Sequence, residues 1–344
     1  MLQQRCTITL LDVLQDPDVN RETDNNIQLV TLEDIRAAAA RVANIARVTP
    51  LLDVSAFAGR PLYLKCENLQ PGGAFKIRGA YNMVAQLTED QRRRGVITFS
   101  SGNHGQAMAL AARELGAPAV VVMPTTAPRV KIDGVKGFGA EVIFAGTTST
   151  ARRDRAESEA RSRGLTMVPP FDHASIIAGQ GTAGLEILDQ LPGVAAVLAP
   201  IGGGGLAAGV AAAVKSSRPD VEVIGVEPEG SAAMKASVDA GHPVTLASTN
   251  SIADGLLPLR PGDLTFAHVH RFIDQVVTVD DGAIVDAVLW LLENAQMVVE
   301  PSGAATVAAV LSGRVAIEGP IVAIVSGGNV DMDRLDEFRR TRTA

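Results

Sequence analysis

The chain has 344 residues, 47% of them hydrophobic and 20% charged, with a formal net charge of −7. That length is comfortable for two domains with a sizeable core, and an acidic total with no basic stripe interleaved with aromatics leaves no nucleic-acid partner to expect. Aromatic residues are only 3% while Ala, Val and Gly are abundant, a bias that suits helices lying close on buried parallel strands. Cys6 and Cys66 have neither disulfide-scaffold density nor CxxC spacing, so reduced thiols in a cytoplasmic protein are expected.

In chain order, residues 1–30 are polar with little periodicity and read as a loosely docked N-terminal extension. They carry no secretory pattern: Arg5 precedes a short apolar run that runs into Asp12, Asp16 and Asp18. A helix starts at Thr31, which caps it, with Glu33 and Asp34 in the first turn and Ile35, Ala38, Ala39 and Val42 on one face. Leu62–Cys66 is a short strand. From about Gly95 strands and helices alternate: VITFS then a helix from about His104, AVVVMP then a helix through Lys131, EVIFAG then a charged helix from Thr150 to Arg163. A second series follows with VAAVLAPI, helix 206–217, VEVIGVE, helix 231–240, VVTVD, a helix near 281–295, and IVAIVSGG. Short apolar runs separated by helices indicate parallel βαβ units. Val194 to Val214 is almost wholly apolar, but Pro200 and Gly202–Gly205 interrupt it, so it reads as strand, glycine turn and helix with no membrane span. The expected organisation is α/β with two lobes. Residues 90–172 form a small mobile domain, and 31–89 plus 173–344 a large one.

Four constellations carry chemistry. Lys76 follows Pro71, Gly72, Gly73 and Phe75 at a loop–helix junction. A lysine there suits covalent work if burial and a neighbouring cation lower its pKa. Ser100-Ser101-Gly102-Asn103-His104 follows the strand VITFS and opens a helix, whose free N–H groups attract an anion such as a carboxylate. Gly202-Gly203-Gly204-Gly205 lies between a strand and the helix beginning at Leu206 and allows the backbone to wrap a phosphate. That turn also fits G-x-G-x-x-A with Glu227 at the end of the next strand, the pattern of a nicotinamide-dependent oxidoreductase. Its late position in the chain argues against that reading, and the other constellations have no role in hydride transfer. Ser326-Gly327-Gly328-Asn329 follows IVAIV, placing a hydroxyl at a strand's carboxyl end.

Together FKIRGA, SSGNHGQA, PIGGGGLAAG, the ADG at Ala253–Gly255, VEPSGAA at 299–305 and SGGNVD at 326–331 closely resemble the fold-type-II pyridoxal-phosphate enzymes, within them the threonine dehydratase and serine racemase branch. The resemblance runs from about Thr31 to Arg340. It implies a two-lobed, tryptophan synthase β-like α/β fold with parallel or mixed twisted sheets flanked by helices. It implies pyridoxal 5'-phosphate on Lys76 as a Schiff base, flanked by Phe75. Asn103 would meet the cofactor's phenolic oxygen, Gly202, Gly203, Gly204 and Gly205 with Leu206 its phosphate, and Ser326 its pyridine nitrogen.

By the same resemblance Ser100, Ser101, Gly102, Asn103 and His104 receive the substrate carboxylate, and Arg152 and Asp254 lie near the closed site. The activity implied is conversion of L-threonine and L-serine to a 2-oxo acid and ammonia. Ser101 matches the serine that lets racemases return a proton on the opposite face, so some serine racemisation is expected. Alternatives are a racemase of the same fold or a dehydratase of another β-hydroxy amino acid such as 3-hydroxyaspartate. Position 74 is Ala where many relatives have Ser or Thr. Glu227 matches one ligand of a divalent-cation site (Mg or Ca), but Ala233 replaces an expected aspartate. Nothing after Arg340 resembles the regulatory domain of biosynthetic threonine dehydratases, so isoleucine feedback is not expected. A homodimer fits the family. His268 and His270 form an HxH pair without a third ligand nearby in sequence, which favours packing or surface roles.

Overall fold

The computed structural model describes residues 27–100, 102–127 and 129–342. The expected extension therefore lies almost wholly outside the described residues, as does Cys6. The chain enters at Val30, whose N–H donates to His268 Nε2 at 2.9 Å. The Leu32–Val42 helix follows, and Thr31 caps it as its residue type predicts. Thr31 Oγ1 accepts the Asp34 N–H at 3.2 Å, and an Asp34 oxygen accepts the Thr31 N–H at 2.9 Å. That reciprocal pair satisfies two N–H groups that the helix start would otherwise leave open.

Ten strands build two sheets. The first has six strands in the order β1 (Leu51–Asp53), β2 (Leu62–Lys65), β10 (Ile321–Ile324), β7 (Ala196–Pro200), β8 (Glu222–Pro228) and β9 (Gln275–Val279). β1 runs antiparallel to β2 and all other pairs are parallel. The second sheet has four parallel strands in the order β5 (Glu141–Phe144), β4 (Ala119–Met123), β3 (Val96–Phe99) and β6 (Thr166–Met167). The mixed α/β architecture is the one expected. The antiparallel edge strand β1 makes the larger sheet mixed.

The central strands read as continuous apolar runs because helices cover both faces. On β7, Ala196 and Leu198 point into one core with the Pro301–Leu311 helix, while Val197 and Ala199 point into another with the Gly205–Ser217 helix. The Gly205–Ser217 helix crosses the Ala174–Gln190 helix closely: a Cβ at Gly209 would lie 2.2 Å from the Ile177 carbonyl oxygen. The residue there has to be glycine for the helices to touch. The Lys76–Ala85 helix joins the two halves. Its Ile77, Ala80, Met83 and Val84 pack in one cluster with β3 and the Asn103–Glu114 helix, while its Arg78 is bonded to the Ala174–Gln190 helix. Among the described residues no helix is long and apolar enough to cross a membrane, and Val194–Val214 is a strand, a glycine turn and a helix.

Candidate active site

The functional loops leave the carboxyl ends of strands from both sheets. Ser100–His104 follows β3, Gly202–Gly205 follows β7, and Ser326–Asn329 follows β10. β10 and β7 are hydrogen-bonded neighbours, so the last two loops sit side by side. In open α/β sheets such a rim is where ligands bind.

These loops close into a ring through specific contacts. The Phe75 N–H donates to the Ser326 carbonyl at 3.1 Å, and Ala74 bridges Gly327, tying the Lys76 junction to the β10 loop. Asn329 Nδ2 donates to Asn103 Oδ1 at 2.9 Å, and Asn103 Nδ2 donates to Glu300 Oε1 at 2.5 Å. The Gly255 N–H donates to Ser302 Oγ at 2.8 Å, and a Cβ on Gly202 would stand 3.0 Å from the Gly255 carbonyl. A Cβ on Gly203 would lie 2.2 Å from the Phe171 ring. The residue before Phe171, Pro170, accepts the Lys76 ammonium at 2.8 Å, which returns the circuit to its start. Lys76, Phe75, Asn103, Gly202–Gly205 and Ser326 are thus brought together.

Lys76 is half-buried at the first turn of its helix, its ammonium 5.0 Å from the centre of the Phe75 ring. Burial pulls its pKa down to about 8, while the Glu300 carboxylate opposes the shift. The expected neighbouring cation is not what lowers it; desolvation is. Glu300 is buried, and that burial, reinforced by Asp254, pushes its carboxyl up to about 7, with Lys131, Asn103 and Lys76 pulling the other way. His104 is buried, with Nε2 3.1 Å from the Val168 carbonyl and Nδ1 without a partner among the described residues. Burial and the Lys76 charge push its pKa down to about 3, so its ring is neutral at pH 7.

A phosphate-bearing aldehyde fits these residues. The Gly205–Ser217 helix starts at Gly204, whose φ is +97°, with no side chain capping it. Glycine alone adopts that φ cheaply, and uncapped N–H groups at a helix start attract a phosphate. The bare faces of Gly202 and Gly203 keep the approach narrow but open, whereas any Cβ would collide with Phe171 or the Gly255 backbone. Leu206 is buried in the core, so only its backbone can take part. Ser326 is buried, and its hydroxyl makes a long 3.5 Å contact to the Ser302 carbonyl, leaving capacity for a ring nitrogen.

Two expected residues, Arg152 and Glu227, stand apart from this group, and Ser101 lies outside the described residues. Arg152 donates to the Thr147 carbonyl and to Ser149 Oγ at the start of its own helix, and none of these bonds reaches the Lys76 group. That helix packs with Val120 and Val122, on the face of the smaller sheet opposite the one where Val121 meets the Asn103–Glu114 helix. Glu227 is buried, and its two oxygens accept the Met234 and Lys235 N–H groups at 2.8 Å each. Among the described residues no group of three or more His, Cys, Asp or Glu could hold a metal ion. His268 is buried with both ring nitrogens engaged by the backbone, at Val30 and Leu264. Sequence reasoning missed Glu300, Lys131 and Phe171. Glu300 lies within the VEPSGAA motif, directly before the proline that opens a helix, but the motif by itself assigns it no role.

With that geometry in hand, comparison with known proteins is specific. The family model described as pyridoxal-phosphate dependent enzyme matches residues 42–327. The chain is 45% identical over 314 residues to the L-threonine ammonia-lyase of Thermotoga maritima, covering 90% of this chain and 78% of that one. It is 42% identical over 315 residues to a serine racemase of Oryza sativa subsp. indica, covering 89% and 93%. The solved structure of maize serine racemase superposes with a TM-score of 0.87 at 39% identity, covering 92% of this chain and 98% of that one.

Proposed function

We propose that this chain, which belongs to the pyridoxal-phosphate dependent enzymes, is an ammonia-lyase that converts L-threonine and L-serine to a 2-oxo acid and ammonia. The observation that carries the reading is the single ring joining Lys76, the glycine cradle, Asn103 and Ser326. When bound, the cofactor supplies an electron sink for charge developing at the substrate's α-carbon. The protein's own residues do the rest. Gly202–Gly205 and the uncapped helix start hold the phosphate, while Lys76 is the residue that would carry the cofactor. Released by substrate, the Lys76 amine has a pKa near enough to neutral to take the α-proton. The uncapped N–H groups at the start of the Asn103–Glu114 helix present donors for the substrate carboxylate, and Ser100 Oγ holds the Gly102 N–H at 3.1 Å. Asn103 is held in one orientation by Asn329 on its oxygen and Glu300 on its nitrogen. Ser326 offers a hydroxyl rather than a carboxylate to the ring nitrogen, which limits charge spread into the ring and favours loss of the β-hydroxyl over transamination.

Serine racemisation is the second reading, favoured by the 42% identity to a serine racemase and resting on Ser101. Ser101→Ala should abolish D-serine formation and leave elimination largely intact. One panel decides the rest: 2-oxo acid release and product chirality for L-threonine, L-serine, D-serine and 3-hydroxyaspartate. Turnover of L-threonine and L-serine supports the reading; activity confined to 3-hydroxyaspartate overturns it.

A divalent cation at Glu227 belongs to the proposal only if the carboxylate lets go of the two N–H groups it now accepts. A rise in holoenzyme Tm on adding Mg or Ca that Glu227→Gln removes is its test. We further place the protein as a cytoplasmic homodimer whose lobe 90–172 moves against the rest. The free, buried Cys66 supports a reducing compartment, and sedimentation with and without substrate tests the assembly.

A further inference from the structure

Two lysines are buried among the described residues, Lys65 and Lys131, and they are bonded very differently. An ammonium carries three donors. Lys65 uses all of them, on the Thr49 carbonyl at 2.9 Å, Gln190 Oε1 at 2.9 Å and Glu186 Oε2 at 2.6 Å. Lys131 is 9% exposed, and its hydrogen-bond partner among the described residues is one oxygen of Asp254. Among the described residues two of its three donors have no partner, and at a site this buried that is capacity a ligand can fill.

What Lys131 stands over is informative. Its helix, Arg129–Gly137, belongs to the smaller sheet's half, whereas Asp254 belongs to the turn that touches Gly202. A Cβ on Gly102 would lie 3.3 Å from Lys131 Nζ, so the ammonium faces the bare α-carbon of the loop that opens the Asn103–Glu114 helix. No side chain caps that helix. His104 Nε2 faces the Val168 carbonyl, so the unpartnered Nδ1 is an acceptor and adds no donor for an anion. An uncapped helix start and a buried ammonium with donors to spare converge on one loop. Asp254, in contrast, is 43% exposed at its side chain and can be solvated if Lys131 leaves it.

We propose that Lys131 is a substrate-recognition residue that exchanges Asp254 for the substrate's carboxylate at Gly102, with Asp254 as the charge that substrate displaces. The inference rests on the reading above that the Ser100–His104 loop takes a carboxylate. It distinguishes itself from a simple strut between the two halves by the sign of two substitutions. Lys131→Met removes the attracting charge and should weaken carboxylate binding roughly tenfold to a hundredfold, the range of a charged hydrogen bond. Asp254→Asn removes the competitor and should strengthen it. A strut would lose from either change alike.

The probe is propionate, an inert carboxylate, titrated into the holoenzyme against chloride at equal ionic strength. Binding is read as the rise in Tm, and KM and kcat for L-serine are measured in parallel. The expected result is weaker propionate binding and higher KM with little change in kcat for Lys131→Met, partial recovery in Lys131→Arg, and tighter propionate binding for Asp254→Asn. Should Lys131→Met fail to fold, Asp254→Asn still decides by its sign. Propionate binding unchanged in Lys131→Met, or weakened in Asp254→Asn, overturns the proposal. If propionate behaves as expected but no β-hydroxy amino acid is turned over, the assigned reaction fails and the recognition role stands.

Discussion

Two carboxylates are buried close to the start of the Lys76–Ala85 helix, and they titrate in opposite directions. Glu67, with no exposure, is pushed up by burial, but the Arg78 guanidinium and Thr49 more than offset this and hold it below the usual range. Glu300, 3% exposed, is pushed up to about 7 by burial and Asp254. The difference lies in saturation. Arg78 spends its donors on Glu67, Glu186, Thr182 and the Arg47 carbonyl, at 2.6 to 3.1 Å. Lys65 completes the cluster through Glu186. Every group there is met, and no capacity remains for a ligand. Around Glu300 the charges are paired one to one or not at all, which costs stability and leaves groups ready to bind. Within one fold, full satisfaction marks structure and partial satisfaction marks the site.

The comparison breaks most visibly at Arg78. Arg78→Met strands the buried Glu67 carboxylate and takes one partner from the half-buried Glu186, and should cost about 3–5 kcal/mol, read as a lower denaturant midpoint. Exchanging Arg78 together with Glu67 for apolar residues of like volume, with Glu186 kept as the partner of Lys65, should recover part of that loss. If Arg78→Met proves harmless, the cluster is not the anchor its geometry describes. Gly203→Ala comes next. Its Cβ meets the Phe171 ring at 2.2 Å, so overpacking should cost about 1–3 kcal/mol and cofactor retention on dialysis should fall at least tenfold. Retention equal to wild type would remove the glycine turn from the phosphate site.

The smallest effect concerns Glu300. Its folded pKa of about 7 lies above its ordinary 4.5, so its favourable contribution is complete below about 4.5 and is lost as pH rises to 7. Glu300→Gln should flatten the decline in stability across that window, leaving the variant relatively better off at pH 8 than at pH 5. An identical pH slope in the two proteins would mean that Glu300 is ionised throughout.

Much of this was legible in the sequence because it is local. The Thr31 cap, the strand VITFS before Asn103 and the glycine turn after β7 are each decided by residues a few positions apart. The helix from Asn103 and the one from Ala233 start one residue earlier and two later than periodicity suggests, a normal uncertainty at helix ends. Ala174–Gln190 is harder to read, because Gly179, Gly181 and Gly184 lower its helix propensity and only contact with the Lys76–Ala85 and Gly205–Ser217 helices requires them. The site splits the same way. Lys76, Asn103, Ser326 and Glu300 all stand in motifs, but Glu300 acquires its role only through Asn103, 197 positions away, and Lys131 through Asp254, 123 positions away. No local pattern encodes pairings of that range. Arg152 shows the converse, a basic residue whose two terminal nitrogens donate at its own helix start while its buried Nε has no partner among the described residues.

The central claim is that a half-buried amine poised near pKa 8 holds the cofactor. Borohydride reduction of the coloured holoenzyme, digestion and mass spectrometry test it most directly. The account predicts a pyridoxyl-phosphate adduct on the peptide containing Lys76 and on no other lysine. An adduct on a different lysine, or none at all from coloured protein, would contradict it.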